Sequence, residues 1–199
     1  MVALLLLLLA GEGRPLFYWG ARPAVVSVEA PQPGAGEEAR VVEVHAACDP
    51  KGLVLRFSFD RPTREAMQLP DGTPVSGRLR AQLYLDLDDR RETGLDRGDR
   101  DPRSGAEAQL EVVVLSVGED PEERRKASAV VTAALFSLAA DGHRRTLWRG
   151  DSDATPGQVS AHGEWVEVRL PPASLEVPRP PLRLVLAGEA RSYEGRLLR

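Results

Sequence analysis

From residue 41 onward apolar and polar side chains alternate with a period of two, as expected for β-strands with one buried face. Val42 and Val44 alternate with Glu43 and His45. After a turn at Asp49-Pro50-Lys51-Gly52, Leu53, Leu55, Phe57 and Phe59 alternate with Val54, Arg56, Ser58 and Asp60, so the two runs are expected to pair as a hairpin. Residues 61–77 carry Pro62, Pro70, Asp71-Gly72 and Pro74 and read as a loop. Leu79, Ala81, Leu83, Leu85 and Leu87 then share one face, and Arg78, Arg80, Gln82, Tyr84, Asp86 and Asp88 share the other. Residues 108–117, AQLEVVVLSV, form a nearly continuous apolar strand. Residues 129–139 and 143–149 flank Asp141-Gly142, a strong hairpin signal, and residues 157–161 and 164–170 flank His162-Gly163. Leu182–Ala187 and Tyr193–Leu198 end the series.

About nine short strands joined mostly by hairpins predict an all-β chain folded as an antiparallel β-sandwich of jelly-roll type. One wet face per sheet accounts for the alternation. The one helical candidate is a turn or so around Pro121–Lys126.

The first 40 residues have a different character. Residues 3–10, ALLLLLLA, are too short to span a bilayer, which needs about 20 residues, and match the apolar part of an export signal. No basic stretch precedes them and no clean small-x-small cleavage site follows. Pro31-Gln32-Pro33-Gly34-Ala35-Gly36 reads as linker. The expected organisation is a signal or membrane-anchor segment at 1–20, a linker at 21–40 and the sandwich at 41–199. The expected location is therefore exported: periplasmic, secreted or tethered to a membrane through the N-terminus.

Composition narrows the function. A net charge of −4 predicts no nucleic-acid partner. Of 26 Lys and Arg, only Lys51 and Lys126 are lysine, so most cations are guanidinium forks suited to carboxylates. Cys48 has no internal disulfide partner and is expected to be a small packed residue beside the turn. The chain carries no G-x-S-x-G elbow, no H-E-x-x-H, no Walker loop and no Cys/His ligand spacing. The prediction is a protein that is not an enzyme.

The strongest local signal is residues 84–107, YLDLDDRRETGLDRGDRDPRSGAE, with eight acids and five arginines. Asp86 and Asp88 are two apart on one strand, so both are expected to point to the solvent face. Together with Asp89, Asp96, Asp99 and Asp101 they offer the carboxylate oxygens that Ca²⁺ prefers. The spacing is not that of an EF-hand, since Arg91 stands where Gly is needed and Arg97 where Glu is needed, counting from Asp86. Three readings stay open: an ordered cation site, a solvated loop neutralised by its own arginines, and catalytic carboxylates of a glycoside hydrolase.

Leu53–Asp60, then Leu83-Tyr84-Leu85-Asp86-Leu87-Asp88, Thr93-Gly94, Gly105-Ala106-Glu107, and Trp165–Pro171 before Ser174-Leu175 form an ordered series. The series resembles bacterial exported β-sandwich domains of the DOMON-like and family-9 carbohydrate-binding-module-like group. The resemblance covers about residues 40–190. It implies a non-catalytic sandwich that binds sugars, haem or other ligands, sometimes with structural Ca²⁺; the ligand expected here is a carbohydrate or cell-surface group. The loop after the paired aspartates departs from the group, being longer and richer in Arg. Aromatics are only 5% of residues, so the sugar-stacking candidates are few: Tyr84, Trp148 and Trp165. The alternative is a structural or protein-interaction module of the cell envelope without metal.

Overall fold

The computed structural model describes residues 16, 18, 24–27, 41–59, 79–116, 129–162, 165–175, 182–187 and 192–197. The apolar run at 3–10 and the helical turn expected at 121–126 lie outside these residues. Among the described residues the chain is all-β, an antiparallel sandwich of two sheets. The strands are β1 (Ala24–Ser27), β2 (Val41–Asp49), β3 (Gly52–Phe59), β4 (Leu79–Asp86), β5 (Ala108–Ser116), β6 (Ala129–Leu138), β7 (Arg144–Asp151), β8 (Val159–His162), β9 (Trp165–Leu170), β10 (Leu182–Ala187) and β11 (Ser192–Leu197). One short 3₁₀ turn occupies Pro172–Ser174. No helix of the described residues is long and apolar enough to cross a membrane.

One sheet runs β1-β2-β3-β9-β8 and the other β11-β10-β4-β5-β6-β7. The expected hairpins β2–β3, β6–β7 and β8–β9 all form. At Gly142 a φ of +83° makes the tight β6–β7 connection possible without a Cβ clash. The count of eleven exceeds the nine or so expected. Ala24–Ser27, inside the stretch taken as linker, pairs with β2. The Val25-Val26 step suits a strand, and the prolines on either side hide it in a composition scan.

The alternation in the sequence becomes the core. Leu55, Phe57, Leu83, Leu85, Leu110, Leu135, Val168 and Leu184 are fully buried between the sheets. Each such side chain contributes about 1.5–3 kcal/mol through removal of apolar surface from water. Cys48 is exposed, which corrects the expectation of a packed residue: it shares the face of Val44 and Ala46 and pairs with Leu53, but it stands at the end of β2 beside the turn, past the covered part of the core.

The outer faces are less wet than the alternation implies. On the five-stranded sheet, Val54, Ser160, Glu167 and Arg169 point away from the core yet are buried. On the six-stranded sheet, Asp86 and Arg183 are buried on the side away from the core, directly opposite each other across β4 and β10. Pro102 and Ser104 of the β4–β5 connection meet Arg183, and Leu16 meets Glu167 and Arg169.

Candidate metal centre in the β4–β5 loop

Residues 87–107 join β4 to β5 and fold back over the end of β4. The Leu95 N–H donates to the Ala106 carbonyl at 2.8 Å, and the Gly105 N–H donates to the Leu95 carbonyl at 2.9 Å. Leu95, Ala106 and Leu138 form a small second core with Tyr84 packed against it. A Cβ on Gly105, whose φ is +92°, would lie 2.6 Å from the Arg90 carbonyl oxygen and 3.1 Å from Asp86 Oδ2. Only glycine lets the returning loop approach the strand end this closely.

Arg183 ties the loop to the sheet. Its Nε donates to Asp86 Oδ2 at 2.8 Å and its Nη1 to the Pro102 carbonyl at 2.7 Å, while its Nη2 reaches the Ser104 carbonyl. Arg183 is 1% exposed and Asp86 0%. The expectation that Asp86 and Asp88 face solvent together is therefore corrected. Asp86 is the last residue of β4 and points to its outer side, where the loop closes over it, whereas Asp88 lies in the bend beyond the strand and is exposed. Burial pushes the Asp86 carboxyl up, and Arg183 and the main-chain donors of Arg90 and Asp89 pull it back.

Asp86, Asp88 and Glu107 each place one carboxylate oxygen within 4.8 Å of the others, a cluster that can hold a metal ion. Asp86 Oδ1 accepts the Arg90 N–H at 3.2 Å, and Asp88 Oδ1 accepts the same N–H at 3.0 Å. Glu107 Oε2 accepts the Leu87 N–H at 2.6 Å. Thr93 Oγ1 lies 3.0 Å from Asp88 Oδ1, 2.6 Å from Glu107 Oε1 and 2.9 Å from the Arg90 carbonyl oxygen. A hydroxyl has one proton to donate. Three acceptors therefore compete for it, and the cluster is short of positive charge or protons at that point. Burial, with Asp88 and Asp86 nearby, pushes the Glu107 carboxyl up, against the pull of Thr93 and the Leu87 N–H.

The other expected ligands lie elsewhere in the loop. Asp89 is half-buried, with a φ of 55° that Asp tolerates better than most residues, and its Oδ1 is 4.0 Å from Arg183 Nε. Asp96 is exposed and accepts the Gly98 N–H at 3.0 Å. Asp99 is exposed, and its main-chain oxygen accepts from Arg91 Nη1 at 3.0 Å. Asp101 pairs with Arg103 through both oxygens. None of these four belongs to the three-acid cluster. Each has a turn or an arginine of its own to hold, because the five arginines are interleaved with the acids. Glu107, not among the carboxylates expected there, completes the three-acid cluster instead. Its place in Gly105-Ala106-Glu107, at the start of the returning strand, is the signal that could have found it.

The three aromatics do not form one platform. Tyr84 is half-buried on the six-stranded sheet, with the Gln109 amide 3.4 Å from its hydroxyl and the Arg103 guanidinium 5.8 Å from its ring centre. Trp148 packs against the core and donates its Nε1–H to Gln158 Oε1 at 3.0 Å. Trp165 belongs to the other sheet, beneath the Arg56 guanidinium at 4.4 Å. Comparison of the chain with family models, curated proteins and solved structures finds no match.

Proposed function

We propose that this chain is an exported, non-catalytic ligand-binding β-sandwich module whose β4–β5 loop is closed by Ca²⁺ held at Asp86, Asp88 and Glu107. The observation that carries the reading is the excess of acceptors around Thr93 Oγ1: two carboxylates and a carbonyl share one hydroxyl proton. A hard divalent cation relieves that excess with the oxygen donors it prefers. Asp86 and Glu107 are both engaged in holding the loop to the sheet, which favours binding over acid–base catalysis. The resemblance to DOMON-like and carbohydrate-binding-module-like domains suggests a carbohydrate or cell-surface ligand. Tyr84, beside the Gln109 amide, offers such a ligand a ring edge and a polar partner.

Arg183 favours a second reading. It already supplies a buried positive charge to Asp86 and to two loop carbonyls, so the loop has a metal-free way to stay closed. On that reading the domain is a structural or protein-interaction module of the cell envelope.

Thermal unfolding in chelator and in millimolar Ca²⁺ separates the two. A cation that binds only the folded state adds about 2.7 kcal/mol at 100 times its Kd. A rise of several degrees, matched by isothermal titration with one site, supports the Ca²⁺ module. Equal midpoints in both buffers leave the Arg183-closed, metal-free module.

A further inference from the structure

The outer face of the five-stranded sheet holds the main chain of Leu16 by side-chain charges. Across β2, β3, β9 and β8, His45, Arg56, Glu167 and Ser160 stand in register. Glu167 is 0% exposed although it points away from the core. Arg56 donates to its Oε1 through Nε at 3.0 Å and Nη2 at 2.8 Å. The Leu16 N–H donates to Glu167 Oε2 at 2.5 Å, and the Leu16 carbonyl accepts from Arg169 Nη2 at 2.6 Å. Arg169, 8% exposed, is fixed in turn by Asp49 Oδ1 at 2.6 Å. One carboxylate and one guanidinium therefore grip both main-chain groups of a single residue, 151 and 153 positions away in sequence.

This grip recognises peptide backbone rather than a side chain. Charge-assisted hydrogen bonds to an N–H and a C=O of the same residue are strong and indifferent to sequence. Val54 and Trp165 lie on the same face of the sheet, Val54 opposite Arg169 in the register. Unlike strand addition at a sheet edge, the site is on the face, so it does not extend the hydrogen-bond ladder. We infer that the Glu167–Arg169 face of the five-stranded sheet is a binding site for peptide main chain, and that the chain's own Leu16 occupies it in cis. The occupied site keeps Glu167 out of water and presents no free peptide groove while the segment is in place.

The test uses the full chain and a synthetic peptide of residues 13–20. Leu16→Pro removes the N–H that Glu167 accepts without touching a strand. The expected result is that the wild-type chain binds the peptide at least about tenfold more weakly than Leu16→Pro, a difference of about 1.4 kcal/mol. A peptide carrying proline at the same position should bind neither chain. In the wild type, the Leu16 amide should exchange with solvent at least about tenfold more slowly than in the free peptide. Glu167→Gln, which keeps the acceptor and loses the charge, should reduce that protection, so the inference stays testable even if Leu16→Pro folds poorly. A Leu16 amide exchanging at the free-peptide rate overturns the site. Protection that disappears on dilution assigns the segment to a second copy and overturns the cis arrangement.

Discussion

Replacing Glu107 by Gln probes the acceptor excess directly. The carboxamide keeps an oxygen to accept the Leu87 N–H and brings an NH₂ that can donate to Thr93 Oγ1 or to Asp88. It also removes one of three negative charges whose oxygens lie within 4.8 Å. Two unit charges at that separation repel by about 3.5 kcal/mol at an effective dielectric of about 20. The net effect is smaller: Asp88 is exposed and screened, and Asp86 is already paired with Arg183. A gain of about 1 kcal/mol in the metal-free protein is the expected size, or about 2–4 °C in Tm for a chain of this length.

The sign follows from linkage. The Glu107 carboxyl is raised above its unfolded value, so its stabilising protonated form is fully present below that value. That stability is lost as pH rises through the raised value, and Gln removes the loss. In chelator above neutral pH, Glu107→Gln is therefore expected to melt above the wild type. In Ca²⁺ at 100 times its Kd the wild type gains about 2.7 kcal/mol and the variant much less, so the order reverses. Scanning calorimetry at pH 5 and pH 8, with and without Ca²⁺, reads both effects. A variant that melts several degrees below wild type in chelator at pH 8 refutes the acceptor excess. A variant that keeps the full Ca²⁺ shift refutes the site.

Two further outcomes follow from the charge pairs. Arg183→Met leaves Asp86 buried and uncompensated and is expected to cost about 3–5 kcal/mol in urea unfolding, much of it recovered in Arg183→Met with Asp86→Asn; a cost under about 1 kcal/mol would contradict the tie described for this loop. The Arg103 guanidinium holds the Asp101 carboxyl below the ordinary carboxylate range. This pair contributes stability above the unfolded value and loses it as pH falls through the lowered one, so Asp101→Asn should flatten the acid limb of the urea midpoint by less than about 1 kcal/mol, since the pair is partly exposed.

How much of this was legible beforehand differs by element. Strands β3, β4, β6 and β9 were plain, because one buried face imposes a period of two on any sequence that fills it. β1 was not, since four residues between prolines are too short for periodicity to speak. The loop at 84–107 is recognisable in the sequence as acidic and Arg-buffered, and Asp86 and Asp88 fall together in the three-acid cluster. The loop's chemistry differs from the expectation in three places. Asp86 is buried rather than at the surface, Glu107 joins the acidic cluster, and Arg183 is tied to it, none of which local alternation predicts.

The amino-acid sequence on its own determined the sandwich, its hairpins and the end of β4 as a place rich in carboxylates, because those follow from local alternation, turn residues and charge. Which acids meet, and which become buried, was decided only in three dimensions. Arg183 is 97 residues from Asp86 in the chain and reaches it because β10 pairs with β4 in one particular register. Glu107 arrives because the loop folds back on Gly105. Leu16 meets Glu167 across 151 residues for the same kind of reason. Pairing between distant strands, and the path of chain laid over their outer faces, are set by global packing rather than by any window of sequence.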